Sequence, residues 1–274
     1  MLLAIWDYGP AEFLVSGFTS GTVVSPFEIE RHSARRCDEL LRAGQVDVAL
    51  VPTLDVVKDP EFYDVLPAIA LSTWRYPYAR LVLKQDLGDP IRTVALDPAY
   101  TQEALLARIL LKEHYAAEPE FVPYTGADVQ ALLEADEDAS LIIGPRVPMV
   151  QTDRPTLDVG QEWYELSNYP MVWGLFAARK GEATPEMIIA LRDAAEAAEA
   201  SRAVWMQAQE PPPALHRFYQ DDLRIRLDDL AVASLTEWLR FLFFYGIAEE
   251  IAGLPFVSLP GEDEEDDSDD ELLA

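Results

Sequence analysis

Short apolar runs alternate along this chain with longer segments in which apolar residues recur at helical spacing, and this alternation limits the fold more than any other feature. Leu2–Trp6, Val46–Val51 and Val65–Leu71 are apolar runs of strand length, whereas residues 101–115 place leucine and isoleucine on one helical face. Strands that alternate with helices are typical of an α/β fold with a largely parallel sheet. The sequence therefore predicts the α/β class.

The residues that begin and end helices sharpen the prediction of single elements. Ser33 is predicted to cap a helix that ends at Gly44, because serine favours the position before a helix and glycine the position after it. Segments 7–12 and 72–78 fit neither pattern and are predicted to be loops. The predicted strands are residues 2–6, 27–32, 46–51, 65–71, 81–84, 94–96, 120–123, 140–143 and 171–178. Further helices are predicted at residues 53–59, 101–115, 127–134, 186–209, 215–221 and 227–252.

Two points in the chain are predicted to be crossings between lobes. The turn-rich residues 86–90 indicate that the chain leaves a first lobe near residue 90, and the apolar run at 171–178 indicates a return near residue 180. A cleft between two lobes can close on a small molecule, so this organisation favours a ligand-binding protein. The predicted division is 1–90 with 180–260 for the first lobe, 91–179 for the second lobe, and 261–274 for a disordered acidic tail.

The charge of the chain is strongly acidic, with a formal net charge of -28. Nine acidic residues lie between Glu262 and Glu271, but the rest of the chain is acidic as well. Such a surface repels phosphate backbones, so we expect no nucleic-acid partner. An acidic bias over the whole surface is also found in proteins that work at high salt.

The chain contains neither an apolar stretch of membrane-spanning length nor the pattern of a signal peptide. The first strand starts without a preceding basic region, and Asp7 follows it at once. We therefore expect a cytoplasmic protein with no membrane partner. The single cysteine, Cys37, cannot form an internal disulfide and is predicted to be a small buried residue on a helix.

Six segments stand out by their sequence, namely Leu40–Pro52 (LLRAGQVDVALVP), Thr93–Asp97 (TVALD), Leu141–Gly144 (LIIG), Asp158–Trp163, Tyr169–Ala178 (YPMVWGLFAA) and Leu227–Gly246. In their order and spacing these segments resemble the menaquinone-biosynthesis family of the futalosine route, which includes chorismate dehydratase and a naphthoate synthase. The resemblance runs from residue 1 to about residue 256. It implies a two-lobed, periplasmic-binding-protein-like (type II) fold with a helical C-terminal segment.

The resemblance also implies a function. Within the family, the sequence is most similar to chorismate dehydratase, a carbon–oxygen lyase that converts chorismate to 3-enolpyruvyloxybenzoate. The expected partner is a small-molecule carboxylate, and we expect neither a metal nor a cofactor. The oligomeric state is left open. Two alternatives also stay open: a non-catalytic or re-specialised carboxylate-binding protein on the same fold, and the sister naphthoate synthase.

The loops that hold the ligand in the family differ here from the family pattern. Pro10 stands at an asparagine position, and Pro145 stands at an aspartate position. A serine and threonine pair before a helix of the second lobe is replaced by Tyr100, Gln102 and Glu103. The scaffold segments are kept while the site segments change, which is the pattern of a divergent paralogue with another ligand. Glu103 would stabilise its helix but repel an anion.

The candidate catalytic residues are Asp7 and Glu12. Both follow the first strand, where ligands approach the sheet in α/β folds, and either carboxylate is a candidate base. Asp7 is equally well explained as a turn-capping residue.

The candidate substrate-binding residues lie in the segments that correspond to the family's ligand loops. Arginine matches carboxylates with two parallel hydrogen bonds, but here it also has many acidic surface partners to pair with. Trp173 is a candidate for stacking on a ring, although a core position explains it at least as well. The set is Tyr8, Ser72, Arg80, Thr101, Gln102, Gly144, Arg146 and Trp173.

Overall fold

The computed structural model describes residues 1–84, 86, 88–251 and 253–258. In this part of the chain the strands are β1 (Leu2–Trp6), β2 (Glu28–His32), β3 (Val48–Pro52), β4 (Tyr63–Thr73), β5 (Ala79–Leu83), β6 (Thr93–Leu96), β7 (Glu120–Pro123), β8 (Ala139–Ile143), β9 (Thr156–Asp158), β10 (Met171–Arg179) and β11 (Leu223–Arg226). Every predicted strand is confirmed with small changes at its ends, whereas β9 and β11 were not predicted.

The helices surround these strands. They are α1 (Gly9–Leu14), α2 (Ser16–Thr19), α3 (Ala34–Arg42), α4 (Thr53–Lys58), α5 (Thr101–Tyr115), α6 (Val129–Glu134), α7 (Val159–Ser167), α8 (Pro185–Gln209), α9 (Pro213–Arg217) and α10 (Asp229–Phe244). The Ser33 hydroxyl accepts a hydrogen bond from the Arg36 backbone N–H, and Gly44 lies beyond the last turn with φ +67°, so both predicted ends of α3 are confirmed.

Two sheets form the framework, and each mixes parallel and antiparallel neighbours instead of being largely parallel as predicted. The first has the order β11-β4-β10-β3-β1-β2, in which β1 runs parallel to β2 and β3 while β10 runs antiparallel to β3 and β4. The second has the order β7-β6-β8-β5-β9, in which β5 runs antiparallel to β8 and β9 while β6 runs parallel to β7 and β8. The antiparallel pairs of the two sheets are those of β10 with β3 and β4, β11 with β4, and β5 with β8 and β9.

The chain changes sheets at other residues than the predicted crossings near 90 and 180. It passes to the second sheet between β4 and β5, because Ala79–Leu83 pairs with β8 and β9. It returns between β9 and β10, since Met171–Arg179 pairs with β3 and β4. The first of these two crossings is therefore made by the aromatic segment 74–78, between β4 and β5. The predicted lobe division stays a prediction, and its tail at 261–274 lies outside the described residues.

Apolar burial holds each sheet to its helices. Met171 to Ala178 is buried along its whole length between neighbouring strands and covering helices, which matches a strand that is apolar on both faces. Cys37 is fully buried against the first sheet, as predicted, and burial raises the pKa of its thiol to about 12.

Two predicted elements differ from the structure. The predicted loop at 7–12 becomes α1 from Gly9 onward, because Pro10 suits the first turn of a helix. The last helix ends at Phe244 and not near residue 252. In the part of the chain that the structure describes, no helix combines the length and the apolar character needed to cross a membrane.

Candidate functional site

A cleft of about 610 Å³ lies where the carboxyl ends of strands from both sheets meet. Segments that follow β1, β2 and β3 line it from the first sheet, and segments that follow β6 and β8 line it from the second. Ligands of open α/β sheets bind at such strand ends. The lining residues are Trp6, Asp7, Tyr8, His32, Ser33, Ala34, Arg35, Asp38, Glu39, Pro52, Asp55, Tyr76, Tyr78, Pro98, Ala99, Tyr100, Thr101, Gln102, Glu103, Ile143, Gly144 and Pro145.

The first turns of two helices line the cleft, one helix following a strand of the first sheet and the other following a strand of the second. Ala34 and Arg35 belong to the first turn of α3, and Thr101 to Glu103 form the first turn of α5. The first turn of a helix has backbone N–H groups without helical partners and a partial positive charge. Tyr100, the residue before α5, makes no side-chain hydrogen bond to these groups. The backbone of the cleft is therefore suited to an oxygen-rich ligand.

Two carboxyl groups in the cleft have raised pKa values. Burial raises the pKa of Glu103 to about 7, and the negative charge of Asp55 adds to the effect. Burial also raises the pKa of Asp55 to about 6, with Asp38 adding and Lys58 opposing. Glu103 stands on α5 and Asp55 on α4, so each sheet contributes one group that exchanges protons near neutral pH.

Tyrosine rings build one wall of the cleft. The hydroxyls of Tyr8 and Tyr76 are hydrogen-bonded at 2.8 Å, and the ring of Tyr78 meets that of Tyr8 edge-on at 5.2 Å. Trp173 stacks behind Tyr76 at 4.0 Å between ring centroids and is fully buried. Burial raises the pKa of Tyr8 and Tyr76 well above the ordinary tyrosine value, so these hydroxyls stay protonated and can donate hydrogen bonds.

Arg35 and His32 of the described lining each lie beside an acidic partner. The Arg35 guanidinium donates to Glu39 at 3.0 Å, and the His32 ring lies 3.0 Å from the carboxylate of Glu30. Acidic lining residues outnumber them, namely Asp7, Asp38, Glu39, Asp55 and Glu103. The side chains therefore make the cleft acidic, while the helix ends supply positive potential.

The structure brings five of the predicted site residues to the cleft: Asp7, Tyr8, Thr101, Gln102 and Gly144. Asp7 is exposed at its edge, and Gly144 has the left-handed φ of +122°. Gln102 is buried, and its amide is fully used by the protein. Its Oε1 accepts from the Leu54 backbone N–H at 2.8 Å, and its Nε2 donates to the carbonyl of Trp173 at 2.8 Å.

The other five predicted residues do not line the cleft. Glu12 forms an ion pair with Arg31, and Ser72 is buried with its hydroxyl 3.5 Å from the Arg224 carbonyl. Arg80 lies on β5 and pairs in the sheet with Asp158 of β9. Burial raises the pKa of Asp158, and the positive charge of Arg80 opposes this rise.

Arg146 and Trp173 also lie outside the lining. Arg146 is exposed in an adjoining cavity of about 240 Å³, which shares Tyr100 and Gly144 with the cleft. The indole N–H of Trp173 donates to the Thr73 hydroxyl at 2.8 Å behind the tyrosine wall. Trp173 is thus a core residue that supports the cleft.

Sequence reasoning missed Asp55 as a site residue and treated Glu103 only as a departure from the family pattern. A signal for both was present, since Asp55 follows the carboxyl end of β3 and Glu103 follows that of β6. The rule that led to Asp7 and Tyr8 after β1 applies equally to these strands. Among the described residues, no group of three or more His, Cys, Asp or Glu is placed to hold a metal ion.

Comparison with known proteins places the chain in a family and a fold. A sequence model of a family described as menaquinone biosynthesis matches residues 1–243. The solved structure of protein AF1704 from Archaeoglobus fulgidus is similar, with 18% identity, a TM-score of 0.64, and coverage of 90% of this chain and 97% of that one.

Periplasmic binding proteins share the fold. The aliphatic sulphonate binding protein SsuA from Escherichia coli is 12% identical with a TM-score of 0.65, and the match covers 93% of this chain and 95% of that one. The alkanesulfonate-binding protein SsuA from Xanthomonas axonopodis pv. citri, bound to MOPS, is 10% identical with a TM-score of 0.57, covering 94% and 97%. The predicted α/β, periplasmic-binding-protein-like fold is thus confirmed.

Proposed function

Because the chain belongs to the menaquinone biosynthesis family, we propose that it is a lyase that dehydrates chorismate to 3-enolpyruvyloxybenzoate in the cleft. The observation that carries the proposal is the carboxyl group of Glu103, which lines the cleft and has its pKa raised to about 7 by burial. A general base works best when its pKa lies near the working pH. Glu103 takes the place of Asp7 and Glu12 as the preferred base.

The dehydration needs one base and one proton donor. The Glu103 carboxylate removes a ring proton, the electrons of the C–H bond form a ring double bond, and the neighbouring C–O bond breaks. The proton held by Glu103 then leaves with the departing hydroxide as water, so the carboxylate is restored. Because the ring becomes aromatic, the protein mainly has to orient the substrate.

The cleft offers donors for the substrate's oxygens. The N–H groups in the first turn of α5 and the protonated hydroxyls of Tyr8 and Tyr100 face the same space as Glu103. The tyrosine rings supply a flat wall for a six-membered ring. Near neutral pH a large part of Glu103 is protonated, which weakens its repulsion of an anionic substrate.

The test is turnover of chorismate by the purified chain, followed by chromatography of the product. We expect Glu103→Gln to lower kcat by about 100-fold or more, as for the loss of a general base. Glu113→Gln, on an exposed part of the same helix, is the matched control and should keep full activity. In the wild type, kcat/KM should rise with pH through about 7. Absence of product from the wild-type chain would refute the proposed reaction.

A second candidate is a re-specialised small-molecule binding protein on the same scaffold. It is favoured by the acidic lining, since the five acidic side chains would repel a dicarboxylate and the Arg35 guanidinium already donates to Glu39 at 3.0 Å. Thermal melts with chorismate, its dehydration product, benzoates and naphthoates distinguish the two, because a ligand that binds the native state raises Tm. A shift with another ligand and none with chorismate would favour this candidate.

A further inference from the structure

The side chain of Gln102 joins an element of the second sheet to two elements of the first. It projects from the first turn of α5 and is only 3% exposed. Its carboxamide accepts from the backbone N–H of Leu54 on α4 and donates to the carbonyl of Trp173 on β10, both at 2.8 Å. Both bonds are buried, so each is shielded from competition by water.

The N–H group of Leu54 is available because α4 lacks a cap of its own. Pro52, the residue before α4, has no side chain that can accept a hydrogen bond. Leu54 stands in the first turn, where backbone N–H groups have no helical partner. The oxygen of Gln102 therefore caps a helix that belongs to the other sheet.

The carbonyl of Trp173 is available because β10 is irregular at this residue. The pairing of β10 with β4 shifts register between Val172 and Gly174, which leaves Trp173 between paired residues. A residue in a β-bulge drops out of the regular hydrogen-bond ladder. The Nε2 of Gln102 donates a hydrogen bond to this carbonyl. The neighbouring carbonyl of Val172 accepts a hydrogen bond from the Thr53 hydroxyl at 2.9 Å.

We propose that Gln102 is a positioning residue that locks the first turn of α5 onto the first sheet and thereby holds Glu103 in the cleft. Glu103 is the next residue of the same turn, so any movement of this turn moves its carboxyl group. The catalytic consequence rests on the proposed function, whereas the lock itself does not.

A glutamine meets the requirements of this position closely. The lock needs one acceptor and one donor at the end of a side chain of this length. Methionine has the length but neither group. A glutamate carboxylate keeps the acceptor and sets a negative oxygen against the Trp173 carbonyl, whereas a protonated glutamic acid supplies both an acceptor and a donor.

Three variants test the lock without any assay of turnover. Small-angle X-ray scattering of the ligand-free chain should show a larger radius of gyration for Gln102→Met at every pH. Gln102→Glu should be compact at low pH, where its acid is protonated, and expanded at high pH. Gln130→Met removes an exposed glutamine on α6 whose side chain donates a hydrogen bond to Glu134, and it should match the wild type.

The position of Glu103 is read by NMR titration of its side-chain carboxyl. The groups that face it are Asp55 from α4 and the tyrosines Tyr8, Tyr76 and Tyr100. Release of the turn should hydrate the carboxyl group and lower its pKa by about one unit or more in Gln102→Met. If the chain turns over chorismate, kcat should also fall by about 10- to 100-fold in Gln102→Met.

The outcomes separate the lock from the reaction. An unchanged radius of gyration together with an unchanged Glu103 titration in Gln102→Met would overturn the lock, whatever the activity. Expansion and a lowered pKa in a chain that does not dehydrate chorismate would support the lock and refute the proposed reaction. If Gln102→Met fails to fold, the pH-dependent change of Gln102→Glu decides alone.

Discussion

At the scale of single residues, the charged form of Glu103 that would act as a base lowers the stability of the folded chain. Its carboxyl has a pKa of about 7 in the folded chain and about 4.5 when unfolded, so the folded state binds the proton more tightly. Stability from this group is therefore fully present below about pH 4.5 and is lost as pH rises through about 7. At higher pH, folding keeps a charged carboxylate in a half-buried place.

We expect Glu103→Gln to stabilise the protein at pH 8 by on the order of 1–3 kcal/mol, because the amide has no charge to bury. The gain should shrink toward zero below about pH 4.5, where the wild-type carboxyl becomes protonated in both states. Chemical denaturation at a series of pH values measures this difference. Glu113→Gln, on an exposed part of the same helix, is the control variant. Equal stability of Glu103→Gln and wild type at pH 8 would contradict the argument.

Gly9 illustrates a close approach at the edge of the cleft. A methyl group on Gly9 would collide with the hydroxyl of Tyr219, which hydrogen-bonds to Tyr78 at 2.8 Å. We expect Gly9→Ala to destabilise the chain by about 1–3 kcal/mol, as overpacking of a core does. Tyr219→Phe removes the colliding oxygen, so the double variant should lose less stability than the sum of the two single variants. Strict additivity in urea denaturation would show that the collision is relieved elsewhere.

Sequence alone predicted residue positions better than residue partners. Asp7 and Tyr8 were placed at the cleft because they follow β1, and the same rule covers Asp55 and Glu103. Glu12 does not line the cleft: once Gly9 begins a helix, Glu12 pairs with an arginine on β2. Such pairing depends on two separate segments of chain and leaves no local pattern.

At the scale of elements, periodicity found the long helices and the apolar strands. It missed β9 and β11, because three or four residues are too few to show an alternation. The partners of β5 could not be found from periodicity either, since the sheet that a strand joins depends on distant segments, here β8 and β9. The pattern of one strand carries no information about its neighbours.

The contact between α2 and α8 depends on a glycine. A Cβ atom on Gly17 would lie 2.6 Å from the carbonyl oxygen of Ala194 and 2.9 Å from its Cα. Because backbone atoms cannot rotate aside, Gly17→Ala should force the two helices apart and cost about 1–3 kcal/mol of unfolding free energy. Gly88→Ala, where an added Cβ meets nothing within 4 Å, is the matched control. Equal urea midpoints for the two variants would refute the close approach.

At the scale of the whole molecule, the cleft exists because two sheets place the ends of their strands at one site. Each sheet supplies a half-buried carboxyl group, Asp55 from the first and Glu103 from the second. Gln102 links the two halves by hydrogen bonds that no single segment could predict, since they join residues 48 and 71 positions apart. The family could be inferred from scaffold segments, but the chemistry of the site required the assembled chain.

The net charge of -28 acts on the whole molecule, since like charges repel each other most in the compact state. Added salt screens this repulsion, and at about 1 M the screening length is only about 3 Å. We therefore expect Tm to rise by on the order of 5 °C between about 0.1 M and about 1 M NaCl, which corresponds to about 2 kcal/mol. Near pH 4.5, where many carboxylates gain protons, the rise should be smaller. A Tm that stays constant or falls with salt at pH 7 would mean that local ion pairs outweigh the overall repulsion.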